Sequence, residues 1–367
     1  MTSVDNLNEV IKRFVVEGEY ISSEPYGSGH INDTYLTIMN HNGDEVKYIT
    51  QRINHEIFKN PEALMENIVR VTEHVRNKVK LRNGDLAKEC LEIIPTLENK
   101  SFYKDNKGFF WRMYVFILGA STHDVLSHDD QAYQAAFAFG QFQKDLVDIK
   151  GERLFETIPD FHHTVKRFET LLKAIEDDKY DRKKDIAADI EFALQRKEFC
   201  GQIIKGMEDG LIPERITHND TKINNVMLDD DTGECRAVID LDTVMPGSAL
   251  YDFGDLIRTT VSTAEEDEKD TTKITANLIR YENLVKGFLK GAGNCLVEKE
   301  IELLPVSGRI ITFECGIRFL TDYLDGDKYF KIHHVGHNLD RARSQFKLVK
   351  SMEEKADEMV VITKKYL

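Results

Sequence analysis

Apolar residues in the first fifteen positions recur at helical spacing. Val4, Leu7, Val10, Ile11, Phe14 and Val15 share one face, and Ser3 stands where an N-cap belongs. From residue 19 the period shortens. Residues 20–26 read as extended, Gly27-Ser28-Gly29 turns the chain, and residues 30–39 alternate as a strand does. His41-Asn42-Gly43-Asp44 predicts a hairpin turn, with residues 48–53 as the returning strand. Pro61 opens a helix whose buried stripe is Leu64, Ile68, Val71 and Val75. Residues 90–94 and 109–117 predict two more strands, separated by a turn that ends at Gly108. The sum is a five-stranded antiparallel sheet with one inserted helix.

Beyond about residue 118 helical patterns dominate, over 131–147, 164–175, 184–204, 272–289, 304–324 and 341–364. Residues 215–242 interrupt them with short strands and the turn Asp229-Asp230-Asp231-Thr232-Gly233. The pattern predicts an α+β chain of two lobes. Residues 1–117 form a small sheet lobe and residues 118–367 a larger, mainly helical one, with a hinge near 114–118.

Length agrees, since 367 residues exceed one comfortable core. A hydrophobic share of 41% with 31% charged residues excludes a disordered chain, a collagen and a coiled-coil rod. A net charge of −15 argues against a broad nucleic-acid surface, which needs clustered cations. No run of apolar residues is long enough to span a bilayer. The five cysteines are odd in number and lack C-x-x-C spacing, so no disulfide framework is expected. Glu9, Lys12 and Arg13 break up any signal-peptide core, and a cytoplasmic location follows as the expectation.

The chemistry concentrates in Thr217-His218-Asn219-Asp220-Thr221-Lys222-Ile223-Asn224-Asn225, followed by Ala237-Val238-Ile239-Asp240-Leu241-Asp242. Phosphoryl transfer from ATP needs one carboxylate to orient a hydroxyl and take its proton. It also needs an amide oxygen and a further carboxylate to hold Mg²⁺ against the phosphates. Asp220 fits the first role; Asn225 and Asp240 fit the second. Asp242 is either a further metal or phosphate-facing group, sharing a strand face with Asp240, or the cap of the next turn. Asp252-Phe253-Gly254 spells the metal-binding tripeptide of protein kinases, but it follows Pro246-Gly247-Ser248 rather than an apolar strand. It is expected to brace the catalytic loop.

Gly27-Ser28-Gly29 between the first two strands is the candidate nucleotide loop, where backbone amides approach phosphates. The third strand offers Arg52 as the phosphate-pairing cation, with Glu62 and Glu66 of the following helix both available as its acid. The Walker signature and a G-x-S-x-G elbow are absent. His333, His334 and His337 lack the H-E-x-x-H context of a zinc helix.

These features together resemble the aminoglycoside phosphotransferase and choline kinase family, whose fold is protein-kinase-like. More closely, the chain is similar to bacterial N-acetylhexosamine 1-kinases over nearly its whole length. The similarity runs through Glu24-Pro25-Tyr26-Gly27, Gly29-His30-Ile31-Asn32, the loop 217–222 and Ile239-Asp240-Leu241-Asp242-Thr243. It continues in Glu314-Cys315-Gly316, Arg318-Phe319-Leu320 and Asp322-Tyr323-Leu324. The resemblance implies ATP- and Mg²⁺-dependent phosphorylation of the anomeric hydroxyl of an N-acetylhexosamine such as GlcNAc or GalNAc. It implies Asp220 as base, Asn225 and Asp240 as metal ligands, and His30, Arg318 and Tyr329 as sugar contacts. Adenine would lie against Tyr114, Val115 and Phe116. The expected partners are thus a sugar and a nucleotide, with no nucleic acid and no membrane. Asn219 stands where Gly often precedes the Asp, and Arg52 where Lys is frequent. A related kinase of an aminoglycoside, choline or another small alcohol is the alternative, and a catalytically silent nucleotide-binding protein a third reading.

Overall fold

Asn42 and Gly43 both take positive φ, 57° and 99°, so a two-residue turn closes the hairpin where the sequence places it. The strands it joins are β2 (Asp33–His41) and β3 (Asp44–Ile53), paired from Asp33 opposite Arg52 to His41 opposite Asp44. The computed structural model describes residues 4–27, 29 and 31–367. Ser3, Ser28 and His30 lie outside the described residues.

Before the hairpin come α1 (Val4–Ile11) and β1 (Glu19–Pro25); after it come α2 (Pro61–Leu81), β4 (Ile93–Ile94), β5 (Tyr103–Lys104) and β6 (Phe110–Val115). The antiparallel sheet runs β1-β2-β3-β6-β4, and β5 also pairs with β6. It therefore has six strands rather than five; β5 is two residues long, too short for alternation to reveal it. The strand expected over 90–94 keeps only Ile93–Ile94, because Cys90 turns its thiol onto the Leu86 carbonyl. α1 stops at Ile11, and Val15 is exposed once Phe14 bridges to Thr96.

The sheet is covered on both faces. One face carries Met39, Tyr48, Trp111 and Met113 against Leu7, Val10 and Ile11 of α1. The other carries Ile53 and Phe110 against Leu64, Met65 and Ile68 of α2, and against Leu241 and Val244 of the large lobe. This second face looks into the cleft between lobes.

After β6 the chain crosses directly into the large lobe, where β7 (Ala120–Ser121), β9 (Val226–Asp229) and β10 (Cys235–Val238) form one small sheet. β8 (Arg215–Thr217) and β11 (Met245–Gly247) form another. The helices are α3 (Asp130–Leu146), α4 (Thr164–Asp177), α5 (Ala187–Leu194), α6 (Lys197–Cys200), α7 (Gln202–Glu208) and α8 (Ala249–Thr260). They continue as α9 (Leu278–Ala292), α10 (Glu298–Leu324), α11 (His337–Glu354) and α12 (Ala356–Lys364). α3 and α9 touch backbone to backbone: a Cβ on Gly287 would stand 2.2 Å from the Tyr133 carbonyl oxygen. The helix expected over 184–204 is instead three, since Arg196 breaks from the run to grip Glu353 through Nε and Nη2. α9 begins late because the Asn277 side chain caps it, accepting from the amides of Ile279 and Arg280. No helix among the described residues is long and apolar enough to cross a membrane.

Candidate active site

The loop between β8 and β9 is gripped through its backbone groups by side chains of the loop itself and of α8. His218 is fully buried, edge-on to Phe139. Its Nε2 donates to the Ile239 carbonyl at 2.8 Å, so Nδ1 is left to accept from the Asp220 amide at 3.3 Å. The imidazole is thereby fixed as a neutral strut. Asn219 has φ of 65°, the left-handed region. This explains why glycine suits the position and why asparagine is tolerated there. Its amide also donates to the carbonyls of Thr217 at 3.2 Å and Thr243 at 2.9 Å, a brace glycine lacks.

α8 supplies the rest. Asp252 and Asp255, one turn apart, accept from the amides of His218 (2.9 Å), Asn219 (2.8 Å) and Thr221 (3.1 Å). Burial raises the Asp252 carboxyl above its usual range. At Asp255 burial is outweighed by Arg258, which holds the carboxyl low. Phe253 is buried against Phe288, and a Cβ on Gly254 would stand 2.6 Å from the Ser307 carbonyl oxygen of α10. Asp252-Phe253-Gly254 is thus a brace for the loop, as its sequence context suggested.

At the tip, Asn225 Nδ2 donates to the Asp220 carbonyl at 2.7 Å and to its Oδ2 at 3.2 Å. Among the described residues no hydrogen bond engages the Asn225 Oδ1. Lys222 Nζ lies 3.1 Å from the same Asp220 oxygen. Burial opposes the Lys222 charge, but Asp220 beside it keeps its pKa above the ordinary lysine value. Lys222 was not among the residues the sequence pointed to; the signal available was a cation two residues past Asp220, inside the same loop. Asp240 follows β10 with φ of 57°. Asp240 is exposed by surface area, yet protein atoms crowd its carboxyl and Asp242 and Asp220 stand near it. Desolvation first and these two acids next push its carboxyl up to about 6.

Asp242 does not share a strand face with Asp240, because the left-handed Asp240 ends the strand and Asp242 falls in the 3₁₀ turn Leu241–Thr243. Both its oxygens are taken. Oδ1 accepts from Arg112 Nη1 and Oδ2 from Asn32 Nδ2, each at 2.5 Å. These donors belong to the small lobe, so Asp242 ties the lobes together, with one hydrogen bond on each oxygen.

The placement of Arg52 also differs from expectation. Arg52 shares its sheet face with Tyr48 and Thr50, the face covered by α1, and there it pairs with Asp33 and lies 4.6 Å over the Phe109 ring. The cleft face carries Ile49, Gln51 and Ile53 instead. The cation on that face is Arg112 of β6, 1% exposed, whose Nε donates to Gln51 Oε1 at 2.9 Å. Glu62 and Glu66 are exposed on α2.

Above the cleft, Gly27 turns with φ of 78°, and a Cβ on Gly27 or Gly29 would meet nothing within 4 Å. The turn stands clear of the chain around it. Tyr114 is buried on the cleft face opposite Ile49. The amides of Val115 and Phe116 are bound to the carbonyls of Glu92 and Lys47, and the Phe116 ring meets Tyr26 edge-on at 5.8 Å.

On the large-lobe side, Arg318 and Tyr329 line one cavity together with Arg167 and Phe330. The Arg318 guanidinium lies 5.7 Å from the Phe161 ring and 5.6 Å from the Phe330 ring. Among the described residues it forms neither a hydrogen bond nor an ion pair. Arg167 gives one bond, Nη2 to the Phe161 carbonyl, while its buried Nε has no partner. Burial, and then the Arg318 charge, lower its pKa. Asp322 is not available to a ligand: its oxygens accept from the amides of Lys328, Tyr329 and Phe330 and from Asn338.

Comparison with known proteins agrees with this geometry. The APH family model, described as a phosphotransferase enzyme family, matches residues 22–284. Among solved structures, the microcompartment-associated aminopropanol kinase superposes with a TM-score of 0.63 at 12% identity, over 98% of this chain and 99% of that one. A spectinomycin phosphotransferase in complex with ADP and spectinomycin gives 0.58 at 15%, over 99% and 98%. A choline kinase from Cryptosporidium parvum gives 0.58 at 11%, over 98% of both chains.

Proposed function

The chain belongs to the APH phosphotransferase enzyme family, and on that premise we propose that it transfers the γ-phosphoryl group of ATP to the anomeric hydroxyl of an N-acetylhexosamine. The observation that carries the phosphoryl-transfer part is the convergence of Asp220, Lys222, Asn225 and Asp240 on one loop and the strand end beside it.

Asp220 is the base. Its carboxylate is held by the Asn225 amide and Lys222, which leaves Oδ1 to accept the proton of the attacking hydroxyl. An anomeric hydroxyl is more acidic than an ordinary alcohol, so positioning carries most of the rate. Lys222 offers a cation where charge gathers on the transferred group. The donor set for a divalent cation is hard oxygen, Asn225 Oδ1 and the Asp240 carboxylate, and the crowding of acids around Asp240 is what a bound cation relieves. Magnesium held there neutralises the phosphate oxygens. The turn at Gly27 and Gly29 covers the phosphates, and Tyr26 with Tyr114, Val115 and Phe116 walls the base near the hinge.

The acceptor follows from charge. Five carboxylates line the two cavities: Glu156 and Glu214 are engaged by Arg153, Asp160 by Lys166 and Asp322 by backbone amides, while Asp325 has Lys179 Nζ 3.9 Å away. The free groups are guanidinium donors, on Arg318 and Arg167, beside the phenol of Tyr329. Such a donor-rich wall suits a neutral, oxygen-rich acceptor; a quaternary ammonium such as choline would have to rely on Asp325, which Lys179 already faces. An acceptor competition between N-acetylhexosamines, choline and amino alcohols at several salt concentrations tests this. Neutral sugars should be used with little salt dependence; preferential, salt-sensitive use of a cation would contradict it.

A further inference from the structure

Glu314 is singled out by the sequence but touches no ligand-facing group in the reading above. It is 1% exposed, midway along α10, and its partner is His162, in the segment before α4. His162 lies stacked on Tyr251 of α8 with ring centroids 5.3 Å apart. Its Nε2 is 3.0 Å from the carbonyl oxygen of Asn219, the residue before the catalytic Asp220. A carbonyl can only accept, so Nε2 carries a proton. Nδ1 faces Glu314 Oε1 at 2.8 Å, while Glu314 Oε2 accepts from Thr164 Oγ1 at 2.6 Å. Burial opposes the His162 charge, but Glu314 holds the imidazole pKa above its usual value. The Glu314 carboxyl is itself held low, against burial, by His162.

We propose that His162 and Glu314 are positioning residues for phosphoryl transfer: a buried imidazolium–carboxylate pair that fixes the Asn219–Asp220 peptide through the Asn219 carbonyl. The inference rests on the assignment of Asp220 as the base. The amides of His218 and Asn219 are already held by Asp252, and the Asn219 side chain by Thr217 and Thr243. The Asn219 carbonyl is the remaining backbone group that sets how the next Cα, and so the Asp220 carboxylate, is aimed. His162 holds it through a chain of bonds anchored in α10 and in Thr164 of α4. Arg318 sits one turn along α10 from Glu314, so the same helix carries both the acceptor wall and the anchor of the catalytic loop.

The test compares His162→Asn with His162→Gln in the full chain, with wild type and Asp220→Asn as references. The asparagine amide ends where Nδ1 stands, within reach of Glu314 but not of Asn219. The glutamine amide ends where Nε2 stands and can serve Asn219. His162→Asn should lower kcat about 10²-fold with KM for ATP and acceptor near wild type, and His162→Gln should recover about a tenth or more of the wild-type kcat. Backbone amides of residues 218–222 should exchange with solvent faster in His162→Asn than in His162→Gln. Equal kcat and equal exchange in the two variants would overturn the proposal. So would a loss confined to the acceptor KM, which would make the pair an acceptor contact. The exchange measurement needs no acceptor. If wild type transfers no phosphate, the reading of the reaction fails, while exchange still decides the positioning claim. Should His162→Asn not fold, Glu314→Gln against Glu314→Ala replaces it. The glutamine can donate its amide to Nδ1 of a neutral His162 while its oxygen accepts from Thr164, and should retain kcat, whereas the alanine should lose it; equal values would sink the proposal.

Discussion

Arg112 and Asp242 meet at 2.5 Å across the two lobes, with their side chains 2% and 5% exposed. The pair is dry and charged, and each partner has a second bond, Arg112 to Gln51 and Asp242 to Asn32. Through Asn32 the same carboxylate holds the chain just ahead of β2.

Removing one charge from such a pair strands the other. Arg112→Met should cost about 3–5 kcal/mol of unfolding free energy, and Arg112→Met combined with Asp242→Asn should cost less than the two single changes summed. Urea unfolding of the four proteins measures both. Additive losses would show that the two groups do not interact.

Lys222 is held beside Asp220 rather than paired away on the surface. Lys222→Ala should lower kcat by about 10²–10³-fold, in the range for losing one donor to developing charge, with a smaller change in KM for ATP. Steady-state kinetics decide. A change in KM alone would place Lys222 in ground-state binding.

Asp240 carries the pH dependence. Its carboxyl is raised from the ordinary 3.8 to about 6 by burial, Asp242 and Asp220. The protonated form is favoured on folding. This group's contribution to stability is therefore present below about 4 and lost as pH rises through about 6 in the metal-free protein. A divalent cation must displace that proton, so the rise in Tm on adding Mg²⁺ and ADP should grow between pH 5 and 7. Asp240→Asn should flatten the growth. Nucleotide protonation alone would leave the same growth in the variant.

The convergence of Asp220, Asn225 and Asp240 was legible because their spacing lies within one loop and one strand end, which needs no knowledge of distant packing. The brace role of Asp252 was legible for a similar reason, from the Pro-Gly-Ser before it. Arg52 was misplaced because the sheet is buried on both faces. Tyr48 and Thr50 alternate with Ile49 and Ile53, so neither row is polar, and alternation alone does not say which one faces the cleft. α8 was missed since Gly254 and two acids disguise it; the acids point inward to the loop's amides and the glycine lies against α10. Arg112 and His162 left no local signal at all. Their partners stand 130 and 152 residues away, and only the folded chain brings them together.

The central claim is tested most directly by locating the transferred phosphate. Wild-type protein, Mg-ATP and N-acetylglucosamine or N-acetylgalactosamine should give a product whose phosphorus NMR signal couples to the anomeric proton, and Asp220→Asn should give none. Phosphate on any other hydroxyl, or transfer that survives in Asp220→Asn, would contradict it.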